Sequence, residues 1–271
     1  MPRTWFVTGA SRGLGAQITK AAILAGDRVV ATGRSREAVI ESLGPDSDQL
    51  LSVGLDVTSA TQARAAVQAA LARFGTIDVL VNNARYGYLG FFEESTIRDT
   101  QAQFPTNLFG VLNVTWAVLP TMRFTRKGRI FNISSFGGIL GADLGPLHCA
   151  SNFALEGISE SLSREMSPFG LSVTLVEAGP SRTDFLTRES LRFGDNAAAD
   201  YDHWRAQLRA SFERRNGHQP GDSAKLAEAI VGLASEARPP MRFFAGSVAV
   251  DLAGAKRAAM QPELAGGGDF P

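Results

Sequence analysis

Six short runs of β-branched and other apolar residues, at 4–8, 28–32, 50–54, 77–82, 129–134 and 172–177, alternate with longer stretches of helical periodicity. Those stretches, at 16–25, 59–74, 99–124 and 150–167, carry an apolar face at helical spacing. Strands alternating with helices build βαβ units, and a parallel sheet is covered on both faces. The runs are almost continuously apolar, as a doubly covered strand requires. Hydrophobic residues make up 44% of the 271-residue chain, enough for one large α/β core.

The pattern changes after residue 179. The segment 181–217 is rich in Arg, Asp and aromatic residues and reads as an inserted helical stretch. Pro220-Gly221-Asp222-Ser223 is a turn with a capping residue, and it opens a helix over 224–235. Pro239-Pro240 ends that helix, and 241–245 is a last strand. Residues 262–271 read as a flexible tail. There is no internal repeat and no Pro- or Gly-rich linker, so 1–271 reads as one domain.

The strongest local motif is Thr8-Gly9-Ala10-Ser11-Arg12-Gly13-Leu14-Gly15, between the first strand and the first helix. Gly9 permits a tight turn, Gly13 lets the backbone approach a pyrophosphate, and Gly15 allows close helix–strand packing. The helix N-terminus then offers its N–H groups to phosphate, with Ser11 and Leu14 beside them. A tight turn with no ligand would need the same glycines. The position after strand one and before a helix favours the dinucleotide reading, and with it a doubly wound Rossmann α/β fold. Strand two ends in Thr32-Gly33-Arg34 with no acid at its tip. A carboxylate there would bind a ribose 2′-hydroxyl, whereas Arg34 and Arg12 suit a 2′-phosphate. The expected cofactor is therefore NADP(H) in preference to NAD(H). Asp56, next to Val57, either accepts from an adenine amino group or caps the helix near Ser59.

Several classes are disfavoured. Lys plus Arg equals Asp plus Glu at 27 each, so no net charge points to nucleic acid or an anionic membrane. No apolar run is long enough to span a bilayer, no secretory leader is seen, and a cytoplasmic location is expected. Cys149 is the single cysteine, which excludes an intrachain disulfide and a cysteine-rich zinc site. No His, Asp or Glu cluster has metal-ligand spacing, so no metal is expected. Cys149 adjoins His148 about 100° around the helix, so a Cys–His dyad is disfavoured and a small buried hydrophobe is the plainer reading.

The chain resembles the short-chain dehydrogenase/reductase family from residue 4 to about 256. The resemblance rests on the glycine turn, Asn82-Asn83-Ala84, Asn107, Ile133-Ser134-Ser135, and Gly179-Pro180 followed by Thr183. It implies a seven-stranded parallel sheet, nicotinamide near Asn83, Ala84, Gly179 and Thr183, and a small-molecule substrate under the 181–217 lid. It also implies a homodimer or homotetramer. The family's chemistry uses an Asn, a Ser, a Tyr and a Lys. Ser135 and Asn107 match the first two. His148 stands at the Tyr position and Asn152 at the Lys position. Phe153-Ala154-Leu155-Glu156-Gly157 matches the family, so the register is secure. Arg85 replaces the glycine after Asn82-Asn83-Ala84, and Ala178 replaces a proline.

Three readings of these exchanges stand. Imidazole needs no neighbouring cation to titrate near neutrality, so His148 replaces the Tyr as proton donor, with Ser135 and Asn107 in support. Alternatively the site performs non-redox work such as isomerisation, dehydration or cyclisation, with Arg85, Tyr86 and Tyr88 at the substrate and a Tyr as substitute donor. Lastly, the fold serves as a silent binding protein. A Ser135–His148 hydrolase pair has no evident third group to orient the imidazole.

Overall fold

The computed structural model describes residues 2–179, 181–182, 191–193, 196–215, 217–219 and 221–266. Elements follow in chain order as β1 (Thr4–Val7), α1 (Gly13–Leu24), β2 (Arg28–Gly33), α2 (Arg36–Leu43), β3 (Leu50–Gly54), α3 (Ala60–Phe74) and β4 (Val79–Asn82). The middle holds β5 (Gly87–Leu89), α4 (Ile97–Phe104), a π-helical turn (Pro105–Phe109), α5 (Gly110–Thr125), β6 (Gly128–Ser135) and α6 (Pro146–Met166). The last third holds β7 (Leu171–Ala178), β8 (Ser181–Arg182), β9 (Leu191–Phe193), α7 (Asp202–Arg215), β10 (Gly221–Asp222), α8 (Ser223–Leu233), β11 (Arg242–Ala245) and α9 (Ser247–Gly266).

Seven strands form one parallel sheet in the order β11-β7-β6-β4-β1-β2-β3. This is the doubly wound Rossmann architecture that the alternating runs predict. Successive strand residues face opposite ways, so each strand feeds two cores. Trp5, Val7, Val81, Phe131 and Val176 pack with α1 and α8 on one face. Phe6, Leu80, Ile130 and Val173 pack with α3 and α5 on the other. Winding reverses between β1 and β4, and ligands of open α/β sheets bind at the carboxyl ends of such strands.

A buried polar chain ties the middle of the sheet to α6. Asn82 and Asn132 are register partners on β4 and β6. Asn82 Nδ2 donates to Asn132 Oδ1 at 2.9 Å and to Thr115 Oγ1 at 3.1 Å. Asn132 Nδ2 donates to Ser159 Oγ on α6 at 2.8 Å. Inside the core each such bond is retained because the alternative is an unmatched polar atom.

Three differences from the sequence expectation have physical causes. The helix predicted over 99–124 is broken into α4, the π turn and α5, because Pro105 supplies no N–H to the helical ladder. The α2 helix was not expected, since it buries only Val39 and so shows little periodicity. The helix α9 reaches Gly266 through Pro262, so 262–266 are helical and not a structureless tail; 267–271 lie outside the described residues.

Replacing Asn82 with Ala would leave Asn132 Oδ1 and Thr115 without this donor, at a cost of about 1–3 kcal/mol. Chemical denaturation should show that loss as a lower midpoint with an unchanged slope.

Candidate active site

The turn after β1 holds its shape by close contact. Gly9 has φ +66° and Gly13 φ +54°, both in the left-handed region. A Cβ on Gly15 would lie 2.3 Å from the Gly9 carbonyl oxygen and 2.5 Å from Asn83 Nδ2. Asn83 braces the same turn, with Nδ2 donating to Thr8 O at 2.9 Å and Gly9 O at 3.1 Å. Thr8 Oγ1 accepts from the N–H groups of Asn83 and Ala84. The tips of β1 and β4 are thereby fixed to each other. Helix α1 begins after Arg12 with no side-chain cap and no acid in its first turn. Its first N–H groups therefore suit an anion.

A cavity of about 750 Å³ runs from this turn to His148. Gly9, Ser11, Arg12, Gly13, Leu14, Arg34, Asp56, Val57, Asn83 and Ala84 line it around the turn, and Arg85, Tyr86, Ser135, His148 and Gly179 line it beyond. Most of the expected site residues are thus brought together. Gly15 lies just behind the surface, packed on the turn. Asp56 does not cap α3. Ser59 is the cap, accepting from Gln62 N, while Asp56 Oδ1 accepts from Thr58 N and Thr58 Oγ1. Arg34 is exposed beside Ser35, the cap of α2. Thr183 lies outside the described residues.

Geometry moves three expected residues away from the cavity, and burial bears on a fourth. Asn107, in the π turn, does not reach the cavity. Its Oδ1 accepts from Tyr86 N at 3.2 Å and its Nδ2 donates to Tyr86 O at 3.0 Å, and Gln103 Nε2 donates to the same carbonyl. Asn107 therefore clamps the main chain of Tyr86. Tyr88 is 3% exposed and lies off the cavity, its hydroxyl turned to Asp99 in the capping box of α4. Asn152 also lies behind the wall, against His148. Finally, burial, reinforced by the Arg85 charge, pushes the imidazole of His148 down to about 4. At neutral pH His148 is uncharged, so it is not an imidazolium donor there.

Asn152 braces that ring. Asn152 Nδ2 donates to His148 O at 2.8 Å, and a carbonyl can only accept, so the amide orientation is fixed. The same Nδ2 is 3.3 Å from His148 Nε2. That contact holds the ring against α6. A Lys at 152 could not share this geometry without placing an ammonium on the imidazole.

Charge behind the site is arranged in layers. Arg85 donates through Nη1 to Ser134 O. Burial lowers its guanidinium to about 10, opposed by Glu177, and it stays charged at neutral pH. Glu177 on β7 is fully buried, and burial with the neighbouring Glu156 pushes it up to about 9. Glu156 itself accepts from Ser134 Oγ and pairs with Arg242 Nε at 2.9 Å. Ser135 Oγ accepts from Gly137 N at 3.3 Å, which leaves its own hydrogen available to donate.

Residues that sequence reasoning missed include Gln101, Thr106 and Phe136 along the wall and Phe212 from α7. Phe212 belongs to the segment expected to form a lid. That helix is latched to the loop after β5: Phe91 stacks on Tyr201 at 4.4 Å and meets Trp204 at 4.8 Å. Arg205 pairs with Glu94, and Glu94 Oε1 accepts from Ala198 N. An acidic pair in one loop and an arginine a hundred residues later carry no local signal of meeting.

Residues 3–192 match the family model described as short chain dehydrogenase. The chain belongs to the short-chain dehydrogenase/reductase family. It is 34% identical over 255 residues to oxidoreductase BOA17 of Botryotinia fuckeliana, covering 94% of this chain and 92% of that one. A solved short-chain dehydrogenase from Streptomyces avermitilis superposes with a TM-score of 0.87 at 36% identity, over 97% of this chain and 96% of the other. A short-chain dehydrogenase/reductase from Burkholderia phymatum, solved in complex with NAD, shares the fold with a TM-score of 0.83 at 22% identity, over 100% and 97% of the two chains.

The depressed His148 has a measurable consequence. Between pH 6.5 and about 4 the unfolded chain protonates this residue and the folded one does not, so stability falls as pH falls through that window. His148→Gln should flatten the slope there in pH-dependent denaturation.

Proposed function

We propose that this protein is an NADP(H)-dependent oxidoreductase acting on a carbonyl or alcohol of a small organic molecule, with an acid/base set altered from that of its family. The observation that carries the cofactor is the cradle itself: an uncapped α1 N-terminus, a glycine turn with no room for a Cβ at Gly15, and a continuous cavity. Arg12 and Arg34 line that end of the cavity, and no carboxylate stands at the tip of β2. Two guanidinium groups fit a 2′-phosphate better than a ribose hydroxyl. The relatives are named oxidoreductases, and a fold neighbour holds NAD. When bound, the cofactor supplies or accepts hydride.

The residues of this chain handle the oxygen. Ser135 offers a hydroxyl at the carboxyl end of β6. His148 acts in its neutral form and handles the proton at the substrate oxygen, with Asn152 bracing the ring. Arg85 provides the positive charge that a family Lys at 152 would have provided from α6. The non-redox alternative draws on the same Arg85, Ser135 and His148, and Tyr86 stays on the cavity wall as its proton donor.

A homodimer or homotetramer is supported by apolar side chains left exposed on the two middle helices: Trp116 and Phe124 on α5, Phe109 just before it, and Phe153 on α6. No helix among the described residues is long and apolar enough to cross a membrane.

Fluorescence titration should show NADPH bound at least tenfold more tightly than NADH. Arg34→Ala should remove most of that difference while leaving NADH affinity unchanged. Failure of both nucleotides to bind would overturn the redox reading and the cofactor assignment together. A second measurement addresses the altered chemistry. If His148→Tyr with Asn152→Lys gains carbonyl reductase turnover that the parent lacks, the parent does not work as a standard reductase. If the parent turns over and His148→Ala loses activity with nucleotide binding intact, His148 is the working base.

A further inference from the structure

The cavity wall continues past Ser135 and His148. Gly137 lies beside both: a Cβ there would stand 3.4 Å from Cys149 Sγ, 3.5 Å from His148 Cδ2 and 3.8 Å from Ser135 Oγ. From Cys149 the lining runs on to Gly145 and Ala142, since a Cβ on Gly145 would be 3.5 Å from Cys149 Sγ and 3.8 Å from Ala142 Cβ. Leu89 of β5 and Phe212 of α7 line the same cavity. Burial pushes the Cys149 thiol up, so it is an uncharged part of this wall at neutral pH. We propose that this stretch is the binding site for the non-reacting part of the substrate, that it takes a hydrocarbon substituent on the reacting carbonyl or alcohol carbon, and that Leu89 and Phe212 are its specificity-determining residues. The inference rests on the oxidoreductase reading for the carbon that reacts, but the apolar contact itself does not require turnover.

The wall is held in place by protein contacts. Leu89, Phe91 and Leu144 form a buried apolar cluster, with Tyr201, Leu208 and Phe212 packed against it. Leu208 and Phe212 are four residues apart on α7, so one face of that helix meets the cluster. Gly90 N donates to Leu144 O at 2.8 Å, which ties the end of β5 to the segment leading into α6. The stacking of Phe91 on Tyr201 and the pairing of Arg205 with Glu94 fix α7 from its other contacts. A wall fixed in this way needs little ordering when a ligand enters.

Polar substituents are poorly served by the same stretch. Apart from Arg12, Arg34 and Asp56 around the glycine turn, the charged residues lining the cavity among the described ones are Arg85 and Asp143. Arg85 is engaged by the protein itself, through Ser134 O and the Glu177 charge. Asp143 is exposed. A substrate hydroxyl buried against Leu89 and Phe212 would lose its water without gaining a partner, which lowers affinity by about tenfold. A methylene buried there instead raises affinity by about threefold.

The test is calorimetric titration of the protein, with and without NADPH, using straight-chain 2-alkanones of five to eleven carbons and, at each length, the analogue with a hydroxyl on the terminal carbon. Affinity for the plain ketones should rise about threefold per methylene until the wall is covered, and the terminal hydroxyl should lower it about tenfold. Leu89→Ala with Phe212→Ala should bring the gain per methylene close to one, and Phe212→Leu should retain most of it. Should the double variant fail to fold, Phe212→Ala alone carries the test, with at least a threefold loss for the longest ketone. Leu208→Ala removes packing behind the wall without touching the cavity, so the gain per methylene should stay at the parent value. Affinity independent of chain length in the parent, hydroxylated ketones that bind as tightly as plain ones, or a gain that survives in the Phe212 variants would each overturn the proposal. An equal loss in Leu208→Ala would trace the effect to packing of α7 and would likewise overturn it, as would no ketone bound at any length. If NADPH fails to bind, the redox reading falls alone, because the dependence on chain length is still read on the protein without nucleotide.

Discussion

The contact between Gly15 and the Gly9 carbonyl is the constraint on which the rest of the site depends. It brings the start of α1 against the end of β1 with no side chain between them. Because the turn is that tight, Asn83 can reach across from β4 and bond both Thr8 O and Gly9 O. The tips of the two strands at the reversal of the sheet are then one rigid unit. Ala84 and Arg85 follow directly from that unit, and the uncapped N-terminus of α1 points into the same space. The candidate cofactor cradle and the candidate catalytic wall are thus positioned by one close approach.

Electrostatics at the far end follow from burial more than from pairing. Three ionisable groups at that end shift in the directions that desolvation dictates. His148 and Arg85 fall, Glu177 rises, and each move removes or weakens a charge. Only Arg85 starts far enough from neutrality to stay ionised. The family solution places a phenol beside an ammonium on one helix. Here a neutral imidazole sits beside an amide on that helix, and the positive charge comes from a strand tip. Under the proposed function, a neutral ring and a guanidinium take the place of the family's phenol and ammonium.

The sequence made the sheet legible because strand position and apolar run coincide. All seven strands of the main sheet lie within two residues of the runs identified, and the glycine turn announced its own geometry. Helix α2 was hidden because it rests on the sheet through one buried side chain, Val39. At the site, residues near strand tips were easier to place than residues on intervening segments. Ser135, Ala84 and Arg85 follow strands and line the cavity. Asn107 and Tyr88 sit in a π turn and an edge segment, where periodicity does not say which way a side chain faces. Asn107 was recognised as important, but its bonds go to the Tyr86 backbone. The lid latch joins Glu94 to Arg205 across more than a hundred residues, and single-sequence patterns do not report such pairs.

The buried chain from Asn82 through Asn132 to Ser159 has an evolutionary consequence. It anchors α6 to the sheet two turns beyond Asn152. The helix keeps its height and rotation by a fastening that includes neither position 148 nor position 152. Those two positions are therefore free to change together without unseating the scaffold that presents them. A lineage with this arrangement can trade one proton-handling pair for another in a few mutational steps. The fold and the glycine turn then persist while the side chains at the end of the cavity change.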